Sequence, residues 1–427
     1  MKIILLNISF LLVLITNAQT KNLKFYQEQA KINSVSIQRN INANKRIQLN
    51  IRQIKNALSK PQVNLEGHLL ISPIISHDQG SNRFQLVSDG SSSDYTGYDL
   101  SYSDGGQYRA VVSVKQSLLN GNKYKAYSQQ ADIAQQLNTN EITLSKHELE
   151  LLVNHQYLIC LKSEQQSQIS RALIEKLEQQ FQQLEKLVEH AIYKQTDLLL
   201  LKLEIDNYKQ DYRAYISEYQ NNISNLNLLC GIVDTNTIQL EQVDFKLKDD
   251  ITSSSQFLTK YKLDSLNIEA EQFIFDQKYK AQVNLFANAG LNAIYLPTAN
   301  RLGFASGINF SWTIFDGNQK QIQYEKSRIA IENLEFEKQN FIRQKYINKN
   351  RYLKQIETIN TQIQHIEQQL NDYRELLDLY KFEVSQAQIS IMDFKNLIRD
   401  ISAKKQSLLV LKTRQQALIN SYNYWNY

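Results

Sequence analysis

The chain has 427 residues and a formal net charge of +5, a balance too small for this length to indicate a nucleic-acid partner. Its 12 glycines and 3 prolines leave little to punctuate the chain. That excludes a fold of many short, turn-linked elements and predicts long uninterrupted ones.

Residues 1–18 read as an export signal peptide. Met1-Lys2 is a basic start, and Ile3–Ile15 is apolar apart from Asn7 and Ser9. Thr16-Asn17-Ala18 then offers small residues for cleavage, with Gln19 as the mature start. At about 13 residues the apolar stretch is too short to cross a bilayer as a helix, and no cysteine follows it for lipid attachment. Beyond it the longest apolar run is Leu198–Leu201, so no transmembrane helix is expected. Residues 19–60 are expected to form a helix.

Residues 61–120 read as a strand pair around a long loop, 77–107. Val63, Leu65, Leu69, Ile71 and Ile75 alternate with Asn64, Glu66, His68 and Ser72. On the return, Tyr108, Ala110, Val112 and Val114 alternate with Arg109, Ser113 and Lys115. The loop is rich in Ser, Gly and Asp; its aspartates, at 78, 89, 94, 99 and 104, lack the spacing of a calcium loop, so it reads as solvated surface. Residues 121–230 then turn helical. A long helix carries a seam of Leu177, Phe181, Leu184 and Val188, a turn follows at 189–196, and a shorter helix runs from Asp197 to about Leu229.

A linker at 231–253 and a helix at 254–279 lead to a second strand pair, 280–316. There Val283, Leu285, Ala287, Ala289 and Leu291 alternate with Asn284, Asn288, Gly290 and Asn292. After a tight Tyr295–Arg301 turn, Leu302, Phe304, Ile308, Phe310 and Trp312 alternate with small or polar residues. Residues 317–427 form a second long helix, a turn at 385–392, and a shorter helix from Asp393 to about Trp425. The long helix carries its seam at Ile356, Ile359, Ile363, Ile366, Leu370, Tyr373, Leu377 and Tyr380. Neither long helix contains Gly or Pro from Asn122 to Val188 or from Asn318 to Val384, a length of about 100 Å each. Asp197 and Asp393 read as helix N-caps.

The two halves are copies. Lys60-Pro61-Gln62-Val63-Asn64-Leu65 matches Lys280-Ala281-Gln282-Val283-Asn284-Leu285, and Leu119-Asn120-Gly121-Asn122 matches Phe315-Asp316-Gly317-Asn318. The second register then holds through Asp197 with Asp393 and Leu229 with Trp425. The copies therefore differ chiefly in the first loop.

Period-2 alternation over about ten residues suits a membrane barrel strand or a soluble sandwich with one wet face. Four membrane strands cannot close a barrel alone, and open edges in lipid leave backbone groups unsatisfied. If the strands are in a membrane, several chains must share one barrel.

The joint Trp312-Thr313-Ile314-Phe315-Asp316-Gly317-Asn318 and the segment Ile389-Ser390-Ile391-Met392-Asp393-Phe394 resemble those of the TolC-like outer-membrane efflux and secretion channels. The likeness covers essentially the whole mature chain. It implies a membrane β-barrel joined to an all-α coiled-coil barrel, built from a duplicated unit of two strands and a long helical hairpin. Three chains would supply a 12-strand barrel and a 12-helix periplasmic tunnel. The resemblance makes 19–60 periplasmic, 77–107 extracellular and 231–253 equatorial. It also implies a periplasmic adaptor at the tip and an inner-membrane transporter of RND, MFS or ABC type, in a tripartite efflux or type I secretion system. No cofactor is implied.

In that family the pore aperture maps to Asp393 and, one helical turn on, to Asn396, where a second acidic residue is usual. The adaptor-docking tip maps to Ala191, Asp197 and Ala387; the two alanines stand where the family usually has glycine. Arg109, Lys115, Asn288 and Asn292 would face the lumen. Tyr108, Phe304, Phe310 and Trp312 would meet lipid or the headgroup girdle.

Two other readings remain. A periplasmic coiled-coil scaffold or adaptor without a pore would also use long helical hairpins, with its strands as a soluble sandwich. For an enzyme there is no GxSxG, HExxH or phosphate-binding loop, and the six histidines share no face, so none is expected. Cys160 and Cys230 either pair or are free buried thiols.

Overall fold

Long helices follow directly from the missing breakers. The computed structural model describes residues 21–71, 74–76, 83–85, 95–96, 106–234, 236, 238–249, 255–293, 302–386 and 388–427. The expected signal peptide, most of the 77–107 loop, the Tyr295–Arg301 turn and Ala387 lie outside these residues. The helices are α1 (Leu23–Asn33), α2 (Val35–Ser59), α3 (Gly121–Glu189), α4 (Gln195–Cys230), α5 (Gln256–Asp276), α6 (Gln319–Ser385) and α7 (Ile391–Trp425). None of them is long and apolar enough to cross a membrane. The strands are β1 (Gln62–Ile71), β2 (Ile74–Ser76), β3 (Arg83–Gln85), β4 (Tyr95–Thr96), β5 (Gly106–Leu118), β6 (Gln282–Ala293) and β7 (Leu302–Ser311).

Three expectations are corrected. The helix expected over 19–60 is two helices broken at Ser34, whose backbone is extended and whose Oγ accepts from the Ile37 amide at 3.4 Å. A serine cap does here what no glycine or proline signalled. The loop expected at 77–107 contains structure, since β2 pairs with both β3 and β4, and its last two residues belong to β5. Asp197 and Asp393 are not N-caps but sit three residues inside, behind Lys194 and Ser390.

The chain divides into two units. One comprises residues up to Asn40, Glu141–Leu258 and Gln339–Tyr427; the other comprises Ile41–Asn140 and Thr259–Lys338. In the first unit the helical seams lay down apolar clusters, of which two are the larger among the described residues. Tyr26, Val153, Tyr157, Cys160, Leu226 and Cys230 form one, and Leu177, Leu184, Leu201, Ile391, Phe394 and Ile398 the other. Along α3 the small residues Cys160, Ser163, Ser167 and Ser170 are all buried, and Ser170 Oγ donates to the Tyr208 carbonyl at 3.2 Å. Small side chains at helical spacing let α4 approach closely. Both cysteines are unpaired, and burial pushes each thiol up to about 12. The linker after α4 is held by Tyr157 Oη donating to the Glu241 carbonyl at 2.8 Å and by a Lys21–Asp234 ion pair at 2.9 Å.

His147 stacks on Tyr427 at 3.8 Å and on Tyr424 at 4.9 Å, and its Nε2–H donates to the Tyr424 carbonyl at 2.9 Å. Burial holds its pKa below the ordinary value; the Tyr424 carbonyl and Glu150 oppose this in part, and Lys248 adds to it. A neutral ring in the folded state stabilises fully above the unfolded value near 6.5. That contribution is lost as pH falls through 6.5 toward the depressed folded value. Thermal unfolding between pH 7.5 and 5 should therefore drop further for the wild type than for His147→Phe; equal drops would contradict the linkage.

In the second unit the four long strands form an antiparallel sheet in the order β1-β5-β6-β7, apart from the small β3-β2-β4 sheet, so the two hairpins lie side by side and β5 joins β6. The outer edges of β1 and β7 have no partner strand among the described residues.

Candidate functional site

The strand register decides which residues share a face. Arg109 lies opposite Asn292, Ser113 opposite Asn288, and Lys115 opposite both Gln62 and Phe286. All four lumen candidates thus share one face with Asn64, Glu66, Asn284 and Asn309. Tyr108, Phe304 and Phe310 share the other with Val63, Leu65, Val112, Leu285 and Ile308. Trp312 follows β7 and donates its Nε1–H to the Tyr279 carbonyl at 3.2 Å, tying the corner after the strand to the corner before it. In the first copy Asn120 does this work, donating to the Leu58 carbonyl at 2.6 Å.

Exposure on this sheet is inverted relative to a water-facing one. On β5, Val111 and Ser113 of the polar face are buried, whereas Val112 of the apolar face is 47% exposed. On β6, Leu285, Ala287 and Ala289 are exposed while Phe286, Asn288 and Gly290 between them are partly covered. Leu65 is 81% and Phe304 86% exposed. The polar face is thus the sheltered one in the middle of β5 and β6, whereas Lys115 and Asn292 toward the strand ends are exposed and most residues of β1 and β7 are exposed on both faces.

Glu66 organises that polar face. Its Oε1 accepts from Ser113 Oγ at 2.6 Å and from Lys115 Nζ at 3.0 Å, and its Oε2 lies 3.4 Å from Arg109 Nη2. Two cations share one carboxylate, so this patch is net positive. Sequence reasoning singled out the cations and missed Glu66, although it is the single acidic residue in the four long strands. Phe286 lies over Gly307, where an added Cβ would come within 2.9 Å of the ring.

In the helical unit the turn after α3 closes with paired backbone bonds. The Ile192 amide donates to the Leu187 carbonyl and the Ala191 amide to the Val188 carbonyl, both at 2.9 Å. This geometry demands a left-handed residue, and Ala191 adopts φ +60°. A Cβ there costs about 1 kcal/mol relative to glycine. Ala191→Gly should raise stability by about that amount in denaturant melts, with unchanged or lower stability as the contrary result. The second turn repeats the long bond, the Gln388 amide donating to the Glu383 carbonyl at 2.9 Å.

Asp393 is exposed, and its carboxylate accepts from Ser390 Oγ at 2.6 Å while that hydroxyl accepts from the Asp393 amide at 3.1 Å. Asp197 accepts from the Lys194 amide at 3.1 Å. Asp197 thus satisfies a backbone amide at the start of α4 directly, whereas Asp393 orients the Ser390 hydroxyl that does so at the start of α7; both lie at a helix N-terminal end, which favours negative charge. Asn396 is half-buried one turn further along α7.

The tip contact that sequence reasoning missed is Tyr193. Its hydroxyl reaches the Ile389 carbonyl at 2.8 Å and the Val384 carbonyl at 3.2 Å, fastening the first tip turn to the second. The duplicate register gave a signal, because Ile389 itself occupies the matching position and has no hydroxyl to return the bond. Tyr193→Phe should cost about 1 kcal/mol locally, read as several-fold faster amide exchange at residues 386–390. Unchanged exchange there would remove Tyr193 from this role.

No protein-family profile matches the sequence, and no curated protein does. Solved structures do match. CusC, described for its transmembrane channel formation, is 14% identical at a TM-score of 0.67, over 94% of this chain and 91% of its own. VceC, an outer membrane protein of Vibrio cholerae, is 14% identical at 0.67, over 95% and 96%. The chain has the fold of the outer-membrane channels. The CmeC outer membrane channel of Campylobacter jejuni repeats the result at 10% identity and 0.67, over 95% of this chain and 85% of that one. At these identities the likeness establishes a shared fold over nearly the whole of each chain.

Proposed function

We propose that the protein is the outer-membrane channel of a tripartite efflux or type I secretion system, a passive conduit for substrate driven by an inner-membrane transporter. One observation carries this reading. Along the middle of β5 and β6 the aliphatic face is exposed and the polar face covered, and Leu65 and Phe304 of the same apolar face are 81% and 86% exposed, as suits a barrel wall between lipid and an aqueous lumen. A soluble sandwich would bury the apolar face, which is what the pore-less scaffold reading requires.

Three chains would close a 12-strand barrel through the free edges of β1 and β7. Ile322, Ile329, Phe336 and Tyr346 of α6 are 48–68% exposed in a single chain, and a neighbouring copy would cover them. Arg109, Lys115, Asn288 and Asn292 would line the lumen, and Tyr108, Phe304, Phe310 and Trp312 would face lipid or the girdle. Asp393 and Asn396 would ring the aperture while Asp393 keeps its capping bonds. Ala191, Asp197 and Ala387 would meet a periplasmic adaptor linked to an RND, MFS or ABC transporter.

Fractionation with planar-bilayer recording tests this. The account expects the protein in the outer-membrane fraction and discrete conductance steps from the purified protein. Recovery in the soluble periplasmic fraction alone, without conductance, would overturn it in favour of the scaffold.

A further inference from the structure

The two hairpins meet at a cleft of about 460 Å³ between the end of β5 and the start of β6, lined by Leu118, Leu119, Asn120, Lys123, Gln277 and Lys280 among others. No carboxylate lines it, and neither lysine is in an ion pair among the described residues. The nearby acidic groups are already engaged. Asp316 accepts from the Lys320 amide at 2.8 Å and is held low by the Tyr279 hydroxyl, and Asp276 accepts from Gln272 at 3.2 Å. The rest of the lining is mixed, with the polar Asn120 and Gln277 beside two exposed aliphatic residues, Leu118 at 39% and Leu119 at 75%. Leu119 holds φ +56°, in the left-handed region.

Exposed aliphatic residues at the end of a sheet with an outward apolar face, next to unpaired lysines, form the chemistry of a headgroup boundary. We propose that this cleft binds the phosphate of an anionic phospholipid in the leaflet at the helix-proximal end of the sheet. Lys123 and Lys280 hold the phosphate, and Leu118 and Leu119 meet the first methylenes of the acyl chains. A free phosphate would leave those two leucines in water, which is why a lipid is the occupant. This rests on the membrane reading of the sheet given above.

The test measures lipid binding by the full-length protein in detergent, by native mass spectrometry and thermal shift. The probes are a phosphatidylglycerol, a phosphatidylethanolamine and inorganic phosphate. Phosphatidylglycerol should bind and stabilise the wild type, and Lys123→Gln/Lys280→Gln should weaken it about 25-fold, roughly fivefold per cation removed near an anionic surface. Lys123→Arg/Lys280→Arg should retain binding. Lys45→Gln/Arg46→Gln, which removes the same charge from α2, should stay within about twofold.

Equal weakening by the α2 variant, equal stabilisation by phosphatidylethanolamine, or full stabilisation by inorganic phosphate alone would each overturn the lipid site. Failure of the membrane reading shows separately, as wild-type protein that is soluble without detergent and inserts into no bilayer.

Discussion

Phe304→Arg should abolish assembly in the outer membrane, while Asn288→Arg, on the neighbouring strand but the opposite face, should leave it near wild type. Phe304 is 86% exposed and pairs in register with Ala289; Asn288 pairs with Ala305. Moving between Ala289 and Asn288 is a single residue along β6, yet it crosses the sheet because side chains alternate. An arginine on the lipid face near the bilayer midplane costs about 2–4 kcal/mol, and three chains would bear it together. The same arginine at 288 points to the polar side that already holds Arg109 and Lys115. The pair is read as folded protein in washed outer membranes. Equal loss from both variants, or tolerance of both, would mean that the faces are wrongly assigned or that neither meets lipid.

Gly231→Ala should destabilise the helical unit by about 2–4 kcal/mol. Gly231 ends α4 at φ +65°, with the Ile232 amide donating to the Asn227 carbonyl at 2.8 Å, the same turn geometry as after α3. Two penalties combine. A side chain in the left-handed region costs about 1 kcal/mol or more. The new Cβ would also lie 2.7 Å from Asn33 Cβ, and overpacking of this kind costs about 1–3 kcal/mol. Asn33 cannot simply withdraw, because its Nδ2 donates to the Cys230 carbonyl at 2.9 Å and anchors the end of α1 to α4. Denaturant midpoints of the purified protein read the effect, and a loss below about 1 kcal/mol would show that Asn33 yields freely. At Ala191 the chain carries the first penalty already, without the second.

The large features were legible because their periodicities are simple. Ile356, Ile359, Ile363 and Leu370 of the α6 seam are buried as a three-four spacing requires. The strand alternation likewise yields a single consistent pair of faces across four strands. The duplication was visible because two hairpins and two pairs of helices kept register, and in the sheet the two strand hairpins lie side by side through β5 and β6.

What was missed depended on bonds between residues far apart or on shifts of a few positions. The break at Ser34 carries no glycine or proline, so helical propensity alone runs through it. The start of α7 was placed at Asp393, although Ser390 three residues earlier makes the Ser-x-x-Asp pairing that the structure uses. Tyr193 and Glu66 act through partners 191 and 49 residues away in sequence, which no local pattern announces.

The central claim is that several copies of this chain close one membrane barrel around a lumen. Cryo-electron microscopy of the full-length protein in lipid nanodiscs tests it most directly. The account predicts a threefold particle in which β1 of one chain pairs with β7 of the next, with Phe304 against lipid and Asn288 toward the lumen. A monomer with both sheet edges free, or an assembly whose sheet packs its apolar face against protein outside the bilayer, would contradict it.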